Sequence, residues 1–77
     1  MDKDTFYRGL EETLEVASGS VKGSDELGTL ESWNSLAVIS FIAMADSQYQ
    51  VSLPVKAITA CRTVDDLATL IEKNQPT

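Results

Sequence analysis

The 77-residue chain contains no histidine and one cysteine, Cys61. A single cysteine closes no disulfide within the chain, and without histidine there is no donor set for a structural zinc cage. The same gap removes the base that a Ser–His–Asp triad or a Cys–His pair needs, so Ser35 cannot belong to such a triad within this chain, and Cys61 reads as a small buried hydrophobe. Positive charge is scarce: 6 Lys and Arg stand against 12 Asp and Glu, a net charge of −6. That balance excludes nucleic-acid binding by phosphate neutralisation and suits a soluble protein that meets basic surfaces on its partners. Long apolar runs are also missing. Leu36 to Ala45, interrupted by Ser40, is about half of the roughly 20 residues needed for a membrane span. Met-Asp-Lys-Asp-Thr-Phe at the start has no apolar h-region, so a cytoplasmic location is expected.

What is present is helical periodicity, with no sustained alternation of period 2. Phe6, Leu10, Leu14 and Ala17 recur at spacings of four and three and predict a helix over about 4–17, with Glu11, Glu12 and Glu15 mostly outward. A long connection follows to Trp33, carrying Gly19, Gly23 and Gly28, with Leu27 and Leu30 as its anchors to the core. Asn34 is a favoured N-cap and opens a second helix over about 34–50; Trp33 and Val38 then occupy the two positions of a hydrophobic staple. Pro54 starts a short third helix over about 54–61, and Thr63 with Asp66 forms a capping-box variant that opens a fourth over about 63–74, buried through Leu67, Leu70 and Ile71. Residues 75–77 read as a frayed tail. The expected fold class is all-α, a small four-helix bundle in a single domain over 1–77, with a long loop between the first two helices.

On a helical wheel at about 100° per residue the second helix divides unequally. Ile39, Phe41, Ile42, Ala45 and Tyr49 share the side assigned to the core; Leu36, Ala37, Ser40, Met44, Ser47 and Gln48 lie opposite. That second side carries no charge, which is unusual for a surface helix and points to protein contact. Ser35 falls at the first helical position, where unpaired N–H groups and the positive end of the helix dipole stabilise an anion, phosphate above all.

The order of helix, long loop, Trp33-Asn34-Ser35-Leu36, apolar helix, Tyr49-Gln50-Val51-Ser52-Leu53-Pro54 and the restart at Thr63-Val64 resembles an acyl carrier protein, over about Phe6 to Ile71. The resemblance implies that Ser35, flanked by Asn34 and Leu36, carries 4′-phosphopantetheine, donated from coenzyme A by a phosphopantetheinyl transferase. It implies a monomeric, non-catalytic carrier that brings thioester-bound acyl groups to acyl-activating or acyl-transfer enzymes. Leu36, Ala37, Ser40, Met44 and Ser47 are the expected partner contacts. Ile39, Ile42, Ala43, Ala57, Ile58 and Leu67 are the expected walls of an acyl pocket.

Two features depart from the family pattern. Asn34 stands where an Asp is usual. Ala37, Ser40, Ser47, Lys56 and Thr59 stand where acidic side chains are usual along the second and third helices. A specialised carrier follows, serving polyketide, lipid or glycan modification, or other secondary metabolism, with partners that read shape more than charge. The other reading is an unmodified helical interaction module of the same fold. Neighbouring carboxylates such as Glu11-Glu12 and Asp65-Asp66 point to different sides of a helix and read as solvated charge and capping.

Overall fold

A computed structural model describes residues 2–75. It contains four helices: α1 (Lys3–Leu14), α2 (Ser35–Tyr49), α3 (Val55–Thr59) and α4 (Val64–Asn74), with a 3₁₀ turn at Leu27–Thr29 in the long connection. No strand is present among the described residues; extended pairing is limited to one antiparallel bridge between Glu26 and Thr63. Of the expected tail, Pro76 and Thr77 lie outside the described residues.

The helix ends follow from local chemistry. Asp2 caps α1 by accepting from Asp4 N–H at 3.1 Å, so the helix opens at Lys3, one residue before the predicted start. The helix stops at Leu14, not Ala17, because Glu15 turns into the left-handed region (φ 59°) and its N–H reaches back to the carbonyls of Glu11 and Glu12. Ala17, expected on the buried stripe, is therefore exposed. Gln50 ends α2 in the same conformation (φ 57°). Pro54 sits at the cap position before α3, which is shorter than expected and ends at Thr59. Thr63 and Asp66 form the full reciprocal capping box at α4.

Phe6, Leu10, Phe41, Ala45, Ile58, Val64, Leu67, Ala68 and Ile71 are fully buried where the helices meet. The Phe6 ring meets Phe41 edge to face at a centroid distance of 6.2 Å, and Trp33 meets Phe41 at 6.0 Å. Trp33 is thus anchored through Phe41, a contact that the staple argument did not foresee. Leu27 is buried and Leu30 packs half-buried against the core, so both anchors of the long connection hold it down.

Glu11, expected to face outward, is only 2 % exposed. Its Oε2 accepts from Gly19 N–H and Val21 N–H, each at 2.9 Å, and Oε1 accepts from Arg8. The connection folds back over α1 because a carboxylate there satisfies backbone donors that would otherwise be buried and unpaired. Further along, Val64 N–H donates to Asp25 O at 3.0 Å and Asp65 N–H to Gly23 O at 2.9 Å, tying the connection to the start of α4. A Cβ on Gly23 would lie 2.4 Å from Tyr7 Oη and 2.3 Å from Asp65 Oδ1, so a side chain at this crossing would displace the hydrogen-bonded Tyr7–Asp65 pair.

Candidate functional site at the start of the second helix

Everything upstream delivers Asn34 and Ser35 to the surface. Asn34 has extended backbone (φ −141°, ψ −175°), and its Oδ1 accepts from Ala37 N–H at 2.9 Å. Its carbonyl accepts from Val38 N–H at 3.0 Å, the first backbone bond of α2. Ser35 is the first helical residue and is exposed. Among the described residues the N–H groups of Ser35 and Leu36 have no protein acceptor. The spot therefore combines a solvent-facing hydroxyl, two free donors and the positive helix end, with no carboxylate on α2 before Asp46.

The side chains around it are not distributed as the wheel suggested. The buried side of α2 is Ala37, Val38, Phe41, Met44 and Ala45, a stripe with spacings of one, three, three and one. Of the five expected partner contacts, Leu36 and Ser47 are exposed and Ser40 is half-buried. Ala37 and Met44 are buried and are core residues. The expected acyl-pocket walls also separate. Ile39, at 61 % exposure, and Ala43 face solvent, Ile42 and Ala57 are half-buried, and Ile58 and Leu67 are sealed in the core. The physical reason is a rotation of α2 about its axis. Phe41 has to meet both Phe6 and Trp33, and that turns Ile39 outward.

Two depressions flank Ser35. One, of about 210 Å³, is lined by Ser35, Val38, Ile39, Val55 and Thr59, between α2 and α3. The other, of about 100 Å³, lies towards α1 and is lined by Thr13, Leu14, Ser32, Asn34, Leu36, Ala37 and Ser40. Val38, Val55 and Thr59 were not anticipated as neighbours of the serine. Only Ile39 of the expected acyl-pocket walls lines the larger depression. The stripe Val38, Phe41, Ala45, at spacings of three and four, was the signal that would have set α2 correctly and put Ile39 beside Ser35. Cys61 is half-buried, with Sγ 3.5 Å from Ala57 O. Burial pushes its thiol above the ordinary 9.0, and the nearby Asp66 carboxylate adds to this, so it is a poor nucleophile.

No helix among the described residues is long and apolar enough to cross a membrane. The family model for the phosphopantetheine attachment site matches residues 8–71. No curated protein matches the sequence. In fold the chain is similar to the solution NMR structure of holo acyl carrier protein from Geobacter metallireducens, with a TM-score of 0.76 and 18 % identity, over 92 % of this chain and 82 % of that one. The family match runs from α1 into α4 and spans the capped start of α2: this chain belongs to the phosphopantetheine-attachment family, as a non-catalytic carrier of the acyl-carrier fold.

Proposed function

We propose that Ser35 is the attachment residue for 4′-phosphopantetheine and that the protein carries acyl groups between enzymes of a specialised pathway, serving polyketide, lipid or glycan modification or secondary metabolism. The observation that carries this reading is the exposed Ser35 at the first position of α2, with two N–H donors that have no protein acceptor. A phosphodiester on Oγ fits that spot, because the free donors and the helix dipole favour an anion there. When bound, the group supplies a terminal thiol on which an acyl cargo is held as a thioester. The chain's own residues do the rest. Asn34 fixes the start of α2 and hence the direction in which Oγ points. Phe41, through Phe6 and Trp33, fixes the rotation of α2 in the bundle. No proton is moved by this chain, and its contribution to a reaction is a raised effective concentration of substrate at each partner.

Asn34 in place of the usual Asp favours a second reading, an interaction module of the same fold whose serine stays unmodified. Coexpression with a broad-specificity phosphopantetheinyl transferase, followed by intact mass measurement, separates the two. One phosphopantetheinyl adduct that disappears in Ser35→Ala is expected. Persistent apo mass with several such transferases would establish the module instead. Mass spectrometry of the group bound to protein from its native host then identifies the cargo.

A further inference from the structure

The two ends of the long connection enclose a groove of about 400 Å³, against about 210 Å³ for the α2–α3 depression. Its apolar wall is Val16, Val21 and Leu30; its polar wall is Ser20, Thr29, Glu31 and Ser32. The hydroxyls of that wall are set as acceptors. Ser20 Oγ donates its proton to Ala17 O at 2.5 Å, and Thr29 Oγ1 donates to Glu26 O at 2.7 Å. Both oxygens keep lone pairs for an incoming N–H. Glu31 is exposed and, among the described residues, has no ion pair. No Lys or Arg lines the groove; Lys22, which follows Val21, is exposed and stands outside it. The groove thus offers apolar contact, acceptor oxygens and one uncompensated carboxylate.

Resting on Ser35 as the attachment residue, we propose that this groove receives the end of the carried group, and that this end is a protonated amine. The cargo class is then an amino-acyl group, held by Glu31 and the oxygens of Ser20 and Thr29. The groove is within the surface that leads from Ser35: Ser32 lines both it and the smaller depression beside Asn34 and Leu36, so the two join there. An exposed ion pair is weak by itself. A cargo tethered three residues away meets Glu31 at an effective concentration on the order of millimolar, which populates a weak contact. The α2–α3 depression has the opposite character. Val38, Ile39 and Val55 line it, no carboxylate does, and the exposed Lys56 follows Val55. An ammonium is repelled there and attracted to the connection, where Glu26 and Asp25 add to the negative field of Glu31. A carboxylate-ended cargo has the reverse preference, and a plain alkyl end gains nothing from Glu31.

The test compares carriers bearing β-alanyl, butyryl or malonyl groups, made from the corresponding coenzyme A thioesters with a broad-specificity transferase and checked by intact mass. β-Alanyl and butyryl share one skeleton and differ only in ammonium against methyl; malonyl ends in a carboxylate. The readout is the backbone amide NMR shift relative to the unloaded chain. β-Alanyl is expected to shift the amides of residues 16–21 and 29–32 about threefold more than the other two groups, the weight of one exposed ion pair. That excess is expected to shrink as NaCl rises from about 0.05 to 0.5 M. Glu31→Gln is expected to abolish it, and Glu31→Lys to transfer it to the malonyl form. Both variants should melt within about 2 °C of wild type, because the position is exposed. Equal shifts for the three groups, β-alanyl shifts centred on Ile39, Val55 and Thr59, or an excess that survives Glu31→Lys would overturn the proposal and leave attachment at Ser35 standing. Absence of any adduct in the mass check would instead overturn the attachment reading, and this proposal with it.

Discussion

Asn34 separates two roles that an Asp at the same place would merge. Its Oδ1 caps α2 through Ala37 N–H, which needs an acceptor but not a charge. Asn34→Ala is therefore expected to destabilise the fold by about 1 kcal/mol. Asn34→Asp should be neutral or stabilising by up to about 0.5 kcal/mol, since a carboxylate also complements the helix dipole. Chemical denaturation of the three proteins checks both. Tyr49 offers the converse case. Its hydroxyl is buried and has no hydrogen-bond partner among the described residues, and burial, with the Asp2 carboxylate, pushes its pKa up. Tyr49→Phe removes an unpaid desolvation and is expected to raise stability by up to about 1 kcal/mol in the same assay. Neither the cap's sufficiency nor the orphaned hydroxyl needs a partner enzyme to be measured.

The helices show which parts of this fold are legible in the sequence. α1 and α4 carry clear polar and apolar sides, so Phe6, Leu10, Leu14, Leu67 and Ile71 were readable as core from spacing alone. α2 is apolar almost all round. Its wheel had no charged face to orient it, and Ile39 was placed inward while Ala37 and Met44 were placed outward. The rotation is set by Phe41 meeting Phe6 of α1, far away in sequence, and Trp33 at the end of the long connection, contacts that lie outside the periodicity of α2 itself. Glu11 was misread for a related reason: the backbone donors it serves, Gly19 and Val21, belong to a connection without periodicity. Ser35 was legible because a cap and its first helical position are local features. The helix ends were less so, since α1 and α2 stop at Glu15 and Gln50 in the left-handed region, where glycine is the usual signal. Gln50→Gly should relieve that conformation and raise stability by about 0.5–1 kcal/mol, measured by denaturant midpoint. A decrease would mean that the Gln50 side chain makes a contact worth more than the backbone strain.

Taken together, the ionisable groups give the folded chain an unusual pH profile, and the signs are determined by the structure. Burial alone would push the Glu11 carboxyl up, but hydrogen bonds from Val21 and Gly19 N–H and the Arg8 guanidinium outweigh it, leaving it below its ordinary 4.5. Asp66 is likewise held below its ordinary 3.8, chiefly by the N–H groups of Arg62 and Thr63. A depressed carboxyl contributes stability that is present above the unfolded value and is lost as pH falls through the folded one. At the other end, Cys61 and Tyr7 are raised from 9.0 and 10.0, Cys61 mainly by burial and Tyr7 mainly by its 2.7 Å hydrogen bond to Asp65. Their contribution is present below those unfolded values and is lost as pH rises through the folded ones. With no histidine in the chain, no side chain has an ordinary pKa between these limits. The melting temperature is therefore expected to be flat, within about 2 °C, from about pH 5.5 to 8.5, and to fall on both sides. Glu11→Gln isolates the acid limb: its amide oxygen can still accept from Gly19 and Val21, so the cost at pH 6 should be only about 1 kcal/mol, against about 2 kcal/mol for Glu11→Ala. The gap between wild type and Glu11→Gln should close as pH falls below about 4.5, because protonation neutralises the wild-type carboxyl as well. If that gap stays constant down to pH 3, Glu11 is not the group that couples the long connection to proton binding, and the acid limb belongs to the exposed carboxylates of the surface.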